Sequence, residues 1–240
     1  MGMPVQIDLR DADVDPTGLD AAFDWLRDVD QTFSTYKPDS EISRLDRGEL
    51  TISECRPEVD EVLVRCAQLR EETAGFFYVR AAGRLDPSGL VKGWAVGKAA
   101  DLLSAAGARN FSINAGGDIV LRGRPASEEL WRIGIQHPLQ RGKIAAVLAG
   151  QDIAIATSGE YERGPHVIDP HTGRPPAGLL SATIVGPDLA TADAYATATF
   201  AMGDRGPAWA AAVGSGYETL CITAGQAVLS SPGLDRYRLS

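Results

Sequence analysis

Asp193 and Thr197 are the side chains of this sequence whose types and spacing best suit metal chemistry. They stand four residues apart in the segment LATADAYATATFAMG, which is predicted to be helical. Residues at i and i+4 share one helix face, so a carboxylate and a hydroxyl are presented together. Hard oxygen ligands of this kind suit Mg²⁺, which completes its shell with water and phosphate oxygens. The alternative is a structural pair, in which Thr197 bonds back to a carbonyl and Asp193 faces water.

A second segment, DPSGLVKGWAVGKAADLL, predicts a helix whose start could hold a phosphate. Ser88 and Gly89 open this helix, and Lys92 follows in its first turns. A helix N-terminus offers unpaired N–H groups and partial positive charge, to which a lysine adds a full charge. Gly93 and Gly97 leave one helix face without side chains, which suits either tight helix packing or a closely approaching flat ligand.

Two further segments place polar groups in loops. The run NAGGD lies between two predicted strands, where a Gly-Gly pair predicts a hairpin turn. Further along, Thr157, Ser158 and Gly159 put two hydroxyls and a flexible backbone in one loop. His166 follows, and its ordinary pKa near neutrality would suit a general base, with a structural histidine as the alternative.

The composition is that of an ordinary globular protein, with 240 residues, 44% hydrophobic and 23% charged. The net charge of −9 argues against a nucleic-acid-binding protein, although backbone dipoles or a metal could still hold a nucleotide. There is no apolar run of membrane-spanning length, and the N-terminus lacks a secretion signal, so a cytoplasmic location is expected. The three cysteines form no CxxC motif, which disfavours a zinc site or a disulfide framework.

Hydrophobic periodicity predicts the elements that position these groups. The predicted strands are 5–9, 111–114, 119–122, 131–135, 144–148, 153–156, 181–185, 218–223 and 226–230. Helices are predicted from residue 16 onward, over 57–73, over 90–106, around Asp193 and over 207–213, whereas 33–48 is predicted as a polar loop. Helices and strands do not alternate regularly, which favours an α+β fold over a doubly wound sheet.

These segments, in this order, resemble the FAD:protein FMN transferase family of ApbE-like flavin transferases. FSTYKPDSEISRLDRG is similar to the family's motif near the N-terminus, DPSGLVKG to its Asp-x-x-(Gly/Ala)-x-x-Lys-Gly helix, and NAGGD to its Asn-x-Gly-Gly-Asp turn. ATSG and HVIDPHTG resemble its Thr-Ser-Gly and His-x-x-Asp-Pro-x-Thr-Gly pair, and TADAYATATFAMG its metal-binding helix. The resemblance implies one ApbE-like, T-fold-related, two-lobed domain over 1–240, with mixed or antiparallel sheets and flanking helices.

The resemblance also implies an activity. Family members bind FAD and Mg²⁺ and transfer the FMN half to a Thr or Ser hydroxyl of an acceptor flavoprotein, releasing AMP; some hydrolyse FAD to FMN and AMP instead. We therefore expect a transferase with FAD as substrate, Mg²⁺ or Mn²⁺ as metal and an acceptor flavoprotein as partner. An FAD pyrophosphatase and a non-catalytic FAD-binding protein are the alternatives.

Individual residues take their expected roles from the same resemblance. The metal ligands would be Asp193, Thr197 and the backbone carbonyl of Gly89, and His166 would be the base that deprotonates the acceptor hydroxyl. Asp193 would thereby be catalytic as well. The residues implied to contact FAD are Met1, Phe33, Ser34, Thr35, Tyr36, Tyr78, Asp86, Lys92, Gly93, Gly116, Gly117, Asp118, Thr157, Ser158, Gly159 and Ile168. Tyr78 is a departure, because many members carry an aspartate at this position.

Overall fold

An antiparallel sheet of seven strands forms the centre of the computed structural model, which describes residues 3–140, 142–159, 167–213 and 216–238. The strands are β1 Val5–Leu9, β2 Phe111–Ala115, β3 Asp118–Arg122, β4 Trp131–Gln136, β5 Ile144–Gly150, β6 Ala154–Gly159, β7 Leu179–Gly186, β8 Glu218–Thr223 and β9 Val228–Ser230. The sheet order is β1-β2-β3-β6-β7-β8-β9, and β4 and β5 form a separate two-stranded ribbon. Each of these strand pairings is antiparallel, which agrees with the predicted α+β fold with mixed or antiparallel sheets.

Except for α2, which falls in a predicted loop, the helices lie close to their predicted positions. They are α1 Pro16–Phe33, α2 Glu41–Asp46, α3 Pro57–Glu72, α4 Ser88–Ala105, α5 Leu189–Ala201 and α6 Gly206–Ala212, with short 3₁₀ turns at Ile52–Glu54, Gly203–Arg205 and Pro232–Tyr237. Side-chain caps fix two of their starts, because Asp15 accepts from the Thr17 amide at 2.9 Å and Asp188 from the Thr191 amide at 2.7 Å.

The prediction of a loop over 33–48 is wrong in part, because α2 lies inside it. The Ser40 hydroxyl caps this short helix by accepting from the Ser43 amide at 3.1 Å, and Ile42 is fully buried. The carboxylate of Glu41, the first residue of α2, accepts from the Arg56 amide at 2.7 Å. A polar segment is therefore helical here because one buried apolar side chain, one local cap and one contact to a residue 15 positions away anchor it.

The core lies mainly between the sheet and the helices α4 and α5. Both helices are apolar around most of their circumference, which is typical of buried helices. They pack on each other, α1 covers α4, and α5 lies against β6 and β7. A second, smaller cluster is centred on Trp131, Leu148 and Leu121, where the β4–β5 ribbon meets the sheet. Across the part of the chain that the structure describes, none of the helices combines the length and the apolar character that crossing a bilayer requires.

Candidate active site

A cavity of about 140 Å³ lies where the start of α4, the middle of α5, the β2–β3 turn and the end of β6 converge. Its lining residues are Phe76, Phe77, Tyr78, Val79, Ala81, Ala82, Asp86, Ser88, Gly89, Lys92, Gly116, Thr157, Ser158, Gly159, Val167, Ile168, Asp193 and Thr197. One water needs roughly 10–15 Å³, so the cavity has room for a ligand portion the size of several water molecules.

Asp193 and Thr197 face this cavity from adjacent turns of α5. Asp193 is only 2% exposed, and its Oδ2 accepts a hydrogen bond from the Gly93 amide at 3.1 Å. The Thr197 hydroxyl lies 3.4 Å from the Ser158 hydroxyl. The start of α4 is equally close, because a Cβ built at Gly89 would lie 3.3 Å from Thr197 Oγ1. Asp193 therefore does not face open water, and the end of β6 and the start of α4 both lie close to the Thr197 hydroxyl.

Close packing of α4 on α5 explains Gly93. A Cβ at this position would lie 2.5 Å from the Leu189 carbonyl oxygen and 2.9 Å from the Ala190 Cα, which is closer than real contacts allow. A Cβ built at Gly97 meets no such obstacle among the described residues within 4 Å. Of the two interpretations that the sequence leaves open, tight helix packing is thus the one that applies to Gly93.

Lys92 sits between two buried carboxylates. Its Nζ lies 2.5 Å from Asp118 Oδ2 and 3.7 Å from Asp193 Oδ1. Asp118 is 1% exposed, and its Oδ1 accepts from the Thr157 amide at 3.2 Å. The triad of Lys92, Asp118 and Asp193 therefore connects α4 and α5 to β3, and the Thr157 amide extends the connection to β6.

Burial sets the electrostatics of this triad. Loss of water contact raises the pKa of Asp193 well above its usual range, and the nearby Asp118 charge raises it further. Burial also raises the pKa of Asp118, against the opposing effect of the Lys92 ammonium. Two carboxylates share one ammonium, so the fully ionised triad carries a surplus negative charge that a bound cation would neutralise.

The β2–β3 turn positions Asp118. Gly116 and Gly117 have φ values of +58° and +92°, and the residues on either side, Ala115 and Asp118, pair across the strands. Two consecutive positive φ values define the two-residue hairpin that glycine favours. The Gly117 amide also donates to Asn114 Oδ1 at 3.0 Å. Asp118 consequently begins β3 with its side chain directed to the interior, as the hairpin prediction for NAGGD allows.

Some residues implied to contact FAD lie away from the cavity wall. Phe33 is 6% exposed and packs with its ring 5.5 Å from that of Trp94, in the core. Tyr36 is 89% exposed, with the Arg84 guanidinium 5.7 Å from its ring. Neither these residues nor Ser34, Thr35, Gly93, Gly117 and Asp118 line the cavity. Met1 and His166 lie outside the described residues.

Other cavity residues escaped the sequence analysis, notably Phe76, Phe77 and Val167. The aromatic run Phe76–Tyr78 was the available signal, since adjacent aromatic residues followed by a loop often line a ligand site. Tyr78 itself lines the cavity and carries the Arg70 guanidinium 4.3 Å from its ring centroid. Arg70 is not itself a lining residue, so the cation–π contact supports the Tyr78 ring from outside the cavity lining.

Comparison with known proteins defines the class of protein to which this fold and cavity belong. The model of the ApbE family matches residues 1–83 and 78–221, so this chain belongs to the ApbE family. Among solved structures, the flavin transferase ApbE of Vibrio cholerae superposes with a TM-score of 0.85 at 26% identity, covering 99% of this chain and 96% of that one. The ApbE protein of Thermotoga maritima has a TM-score of 0.88 at 22% identity over 100% and 97% of the two chains, and supports the fold.

Curated relatives carry an enzyme name. The FAD:protein FMN transferase of Vibrio cholerae is 36% identical over 131 residues, which is 50% of this chain and 39% of the relative. The aligned part is thus well under two thirds of that relative's length.

Proposed function

We propose that this chain is a metal-dependent FAD:protein FMN transferase, which moves the FMN half of FAD to a Thr or Ser hydroxyl of an acceptor flavoprotein and releases AMP. One observation carries the proposal: Asp193, which is buried, and Thr197, which is partly exposed, lie one turn apart on α5 and face a cavity at the start of α4 beside the Lys92 ammonium. The enzyme names of the curated relatives support the same activity.

The residues of the cavity fit a magnesium ion. Asp193 would contribute a carboxylate, Thr197 a hydroxyl and Gly89 a backbone carbonyl, and the surplus negative charge beside Lys92 favours a cation. Within the described ranges, no three His, Cys, Asp or Glu side chains cluster around one point. This donor set suits Mg²⁺ or Mn²⁺, because such ions use few protein ligands when phosphate oxygens and water complete the shell. Bound there, the ion would neutralise phosphate charge and ease departure of AMP.

The chain's own residues would bind and orient the pyrophosphate. Lys92 is held by two carboxylates, so its ammonium is fixed near the start of α4 before any substrate arrives. Such preorganisation reduces the ordering cost of binding. Thr157 and Ser158 also line the cavity, and their hydroxyls can donate to phosphate oxygens.

Three outcomes of one experiment separate the candidate functions. The purified chain is incubated with FAD and Mg²⁺, with and without acceptor flavoproteins that carry a flavinylated Thr or Ser. A covalent flavin on the acceptor together with AMP supports the transferase. Free FMN and AMP with an unmodified acceptor would identify a pyrophosphatase, and FAD binding without AMP in either Mg²⁺ or Mn²⁺ would identify a binding protein.

His166 remains a prediction as the base. If it takes the proton from the acceptor hydroxyl, His166→Ala slows transfer while the FAD dissociation constant changes little. A large loss of FAD affinity in this variant would instead make His166 a binding or structural residue.

A further inference from the structure

Thr157, which is partly exposed, and Thr183, which is buried, form a hydroxyl pair beside the cavity. They are direct partners in the β6–β7 register, and their Oγ1 atoms lie 2.9 Å apart. Thr157 lines the cavity, whereas Thr183 is fully buried behind it. No part of the activity proposed above uses Thr183.

The burial of Thr183 determines the direction of this hydrogen bond. Among the described residues, Thr157 is the hydrogen-bonding partner of the Thr183 hydroxyl. If Thr157 were the donor, the Thr183 proton would be left unsatisfied in the interior, which is costly. Thr183 therefore donates and Thr157 accepts. The proton of Thr157 is then available to an acceptor in the cavity.

The backbone of Thr157 is fixed as well. Its amide donates to Asp118 Oδ1 at 3.2 Å, and Asp118 is in turn paired with Lys92. Both the main chain and the hydroxyl of Thr157 are thus held before a ligand binds.

We propose that Thr183 is a positioning residue, which makes Thr157 a hydrogen-bond donor to an anionic oxygen of the substrate pyrophosphate. This inference rests on the proposed function, since that function supplies the pyrophosphate. Thr183 acts through Thr157 and does not itself touch the substrate.

Thr199 provides a matched control. It is also fully buried, and its hydroxyl has no hydrogen-bonding partner within the described part of the chain. Replacement of either threonine by valine removes one hydroxyl and keeps the branched shape. The two variants therefore differ in one respect: the Thr183 hydroxyl contacts Thr157, whereas the Thr199 hydroxyl contacts no other described polar group.

The experiment measures the FAD dissociation constant, and kcat and KM for AMP release, in Thr183→Val, Thr183→Ser, Thr199→Val, Thr157→Val and the Thr157→Val/Thr183→Val double variant. We expect Thr183→Val to weaken FAD binding and raise KM by roughly 3- to 10-fold, the usual range for one hydrogen bond. Thr183→Ser and Thr199→Val stay within about twofold of wild type. The double variant binds FAD no more weakly than Thr157→Val, because both substitutions remove the same interaction with the substrate.

Circular dichroism establishes that each variant is folded, and Thr183→Ala replaces Thr183→Val if the latter is not. Wild-type affinity and KM in a folded, hydroxyl-free variant overturn the positioning role while leaving the proposed function intact. An additional loss in the double variant, equal to that of Thr183→Val alone, overturns it too. A wild-type chain that neither binds FAD nor releases AMP overturns both proposals.

Discussion

The Gly93 amide donates a hydrogen bond to Asp193 Oδ2 across 3.1 Å, although the two residues are separated by 100 positions in the chain. Glycine is needed for this contact, since the Leu189 carbonyl occupies the space of a side chain at position 93. One close approach of two helices therefore both packs the core and orients the carboxylate proposed to bind the metal.

Gly93→Ala should separate α4 from α5. The added methyl group would meet backbone atoms that cannot rotate away, so we expect a loss of about 1–3 kcal/mol in the free energy of unfolding. Gly97→Ala is the control on the same helix, because its position is open and alanine favours the helix by about 0.5–1 kcal/mol. Chemical denaturation of both variants measures the difference. Equal stability of the two alanine variants would contradict the packing described here.

Asp193→Asn should weaken binding of the proposed metal ion. The amide cannot supply the negative charge, and we expect the Mg²⁺ concentration for half-maximal AMP release to rise by at least about 100-fold, the upper end of what loss of an outer-shell partner costs. Asp101→Asn removes an exposed carboxylate from α4 and serves as the control. Titration of AMP release with Mg²⁺ and with Mn²⁺ gives the measurement. An unchanged metal dependence in Asp193→Asn would refute the assignment of this ligand.

Lys92→Met should destabilise the protein through the carboxylates that it leaves behind. Asp118 would then be buried without its ion-pair partner, at a cost of about 3 kcal/mol. The double variant Lys92→Met/Asp118→Asn should recover part of that loss, because the unpaired charge is gone. Thermal or chemical unfolding without added metal tests both. If the stability losses of Lys92→Met and Asp118→Asn simply add up in the double variant, the two residues do not interact.

The cysteines should react at very different rates. Burial raises the pKa of the Cys66 thiol to about 12, and burial also raises the pKa of Cys221. Cys55 is half-exposed, with its pKa raised by partial burial and then by Glu41 and Glu54. Because the thiolate is the reactive form, native protein at pH 8 should show one accessible thiol that reacts more slowly than free cysteine.

Labelling with a chromogenic disulfide reagent measures this pattern. The rate for Cys55 should increase from pH 8 to pH 9, as the thiolate fraction grows. Cys55→Ser should abolish the reaction in native protein, and guanidinium should expose the two remaining thiols. Rapid labelling of native Cys55→Ser would show that Cys66 or Cys221 is more accessible than its burial indicates.

Local periodicity was sufficient to predict most strands and long helices, because the spacing of apolar residues along each segment defines its buried face. It failed for α2, which has one fully buried apolar side chain, Ile42, and depends on a Ser40 cap and a contact from Glu41 to Arg56. A contact across 15 positions is invisible to a local pattern.

The candidate site could likewise be predicted from the sequence only in part. The side-by-side placement of Asp193 and Thr197 follows from helix geometry, whereas the ion pair of Lys92 with Asp118 joins a helix to a strand and required the tertiary structure. The position of Phe33 in the core could have been predicted from the hydrophobic periodicity of α1. Phe33 continues the buried face of α1 through Leu26 and Val29, which already indicated a core position.

The separation of α4 and α5 along the chain also affects how the protein is made. During synthesis, α4 emerges well before its partner, so its apolar, glycine-bearing face has nothing to pack against while the intervening strands are translated. Such long-range pairing gives a high contact order and slow folding. The cavity can form only once translation has passed α5, because α5 supplies Asp193 and Thr197 to its lining.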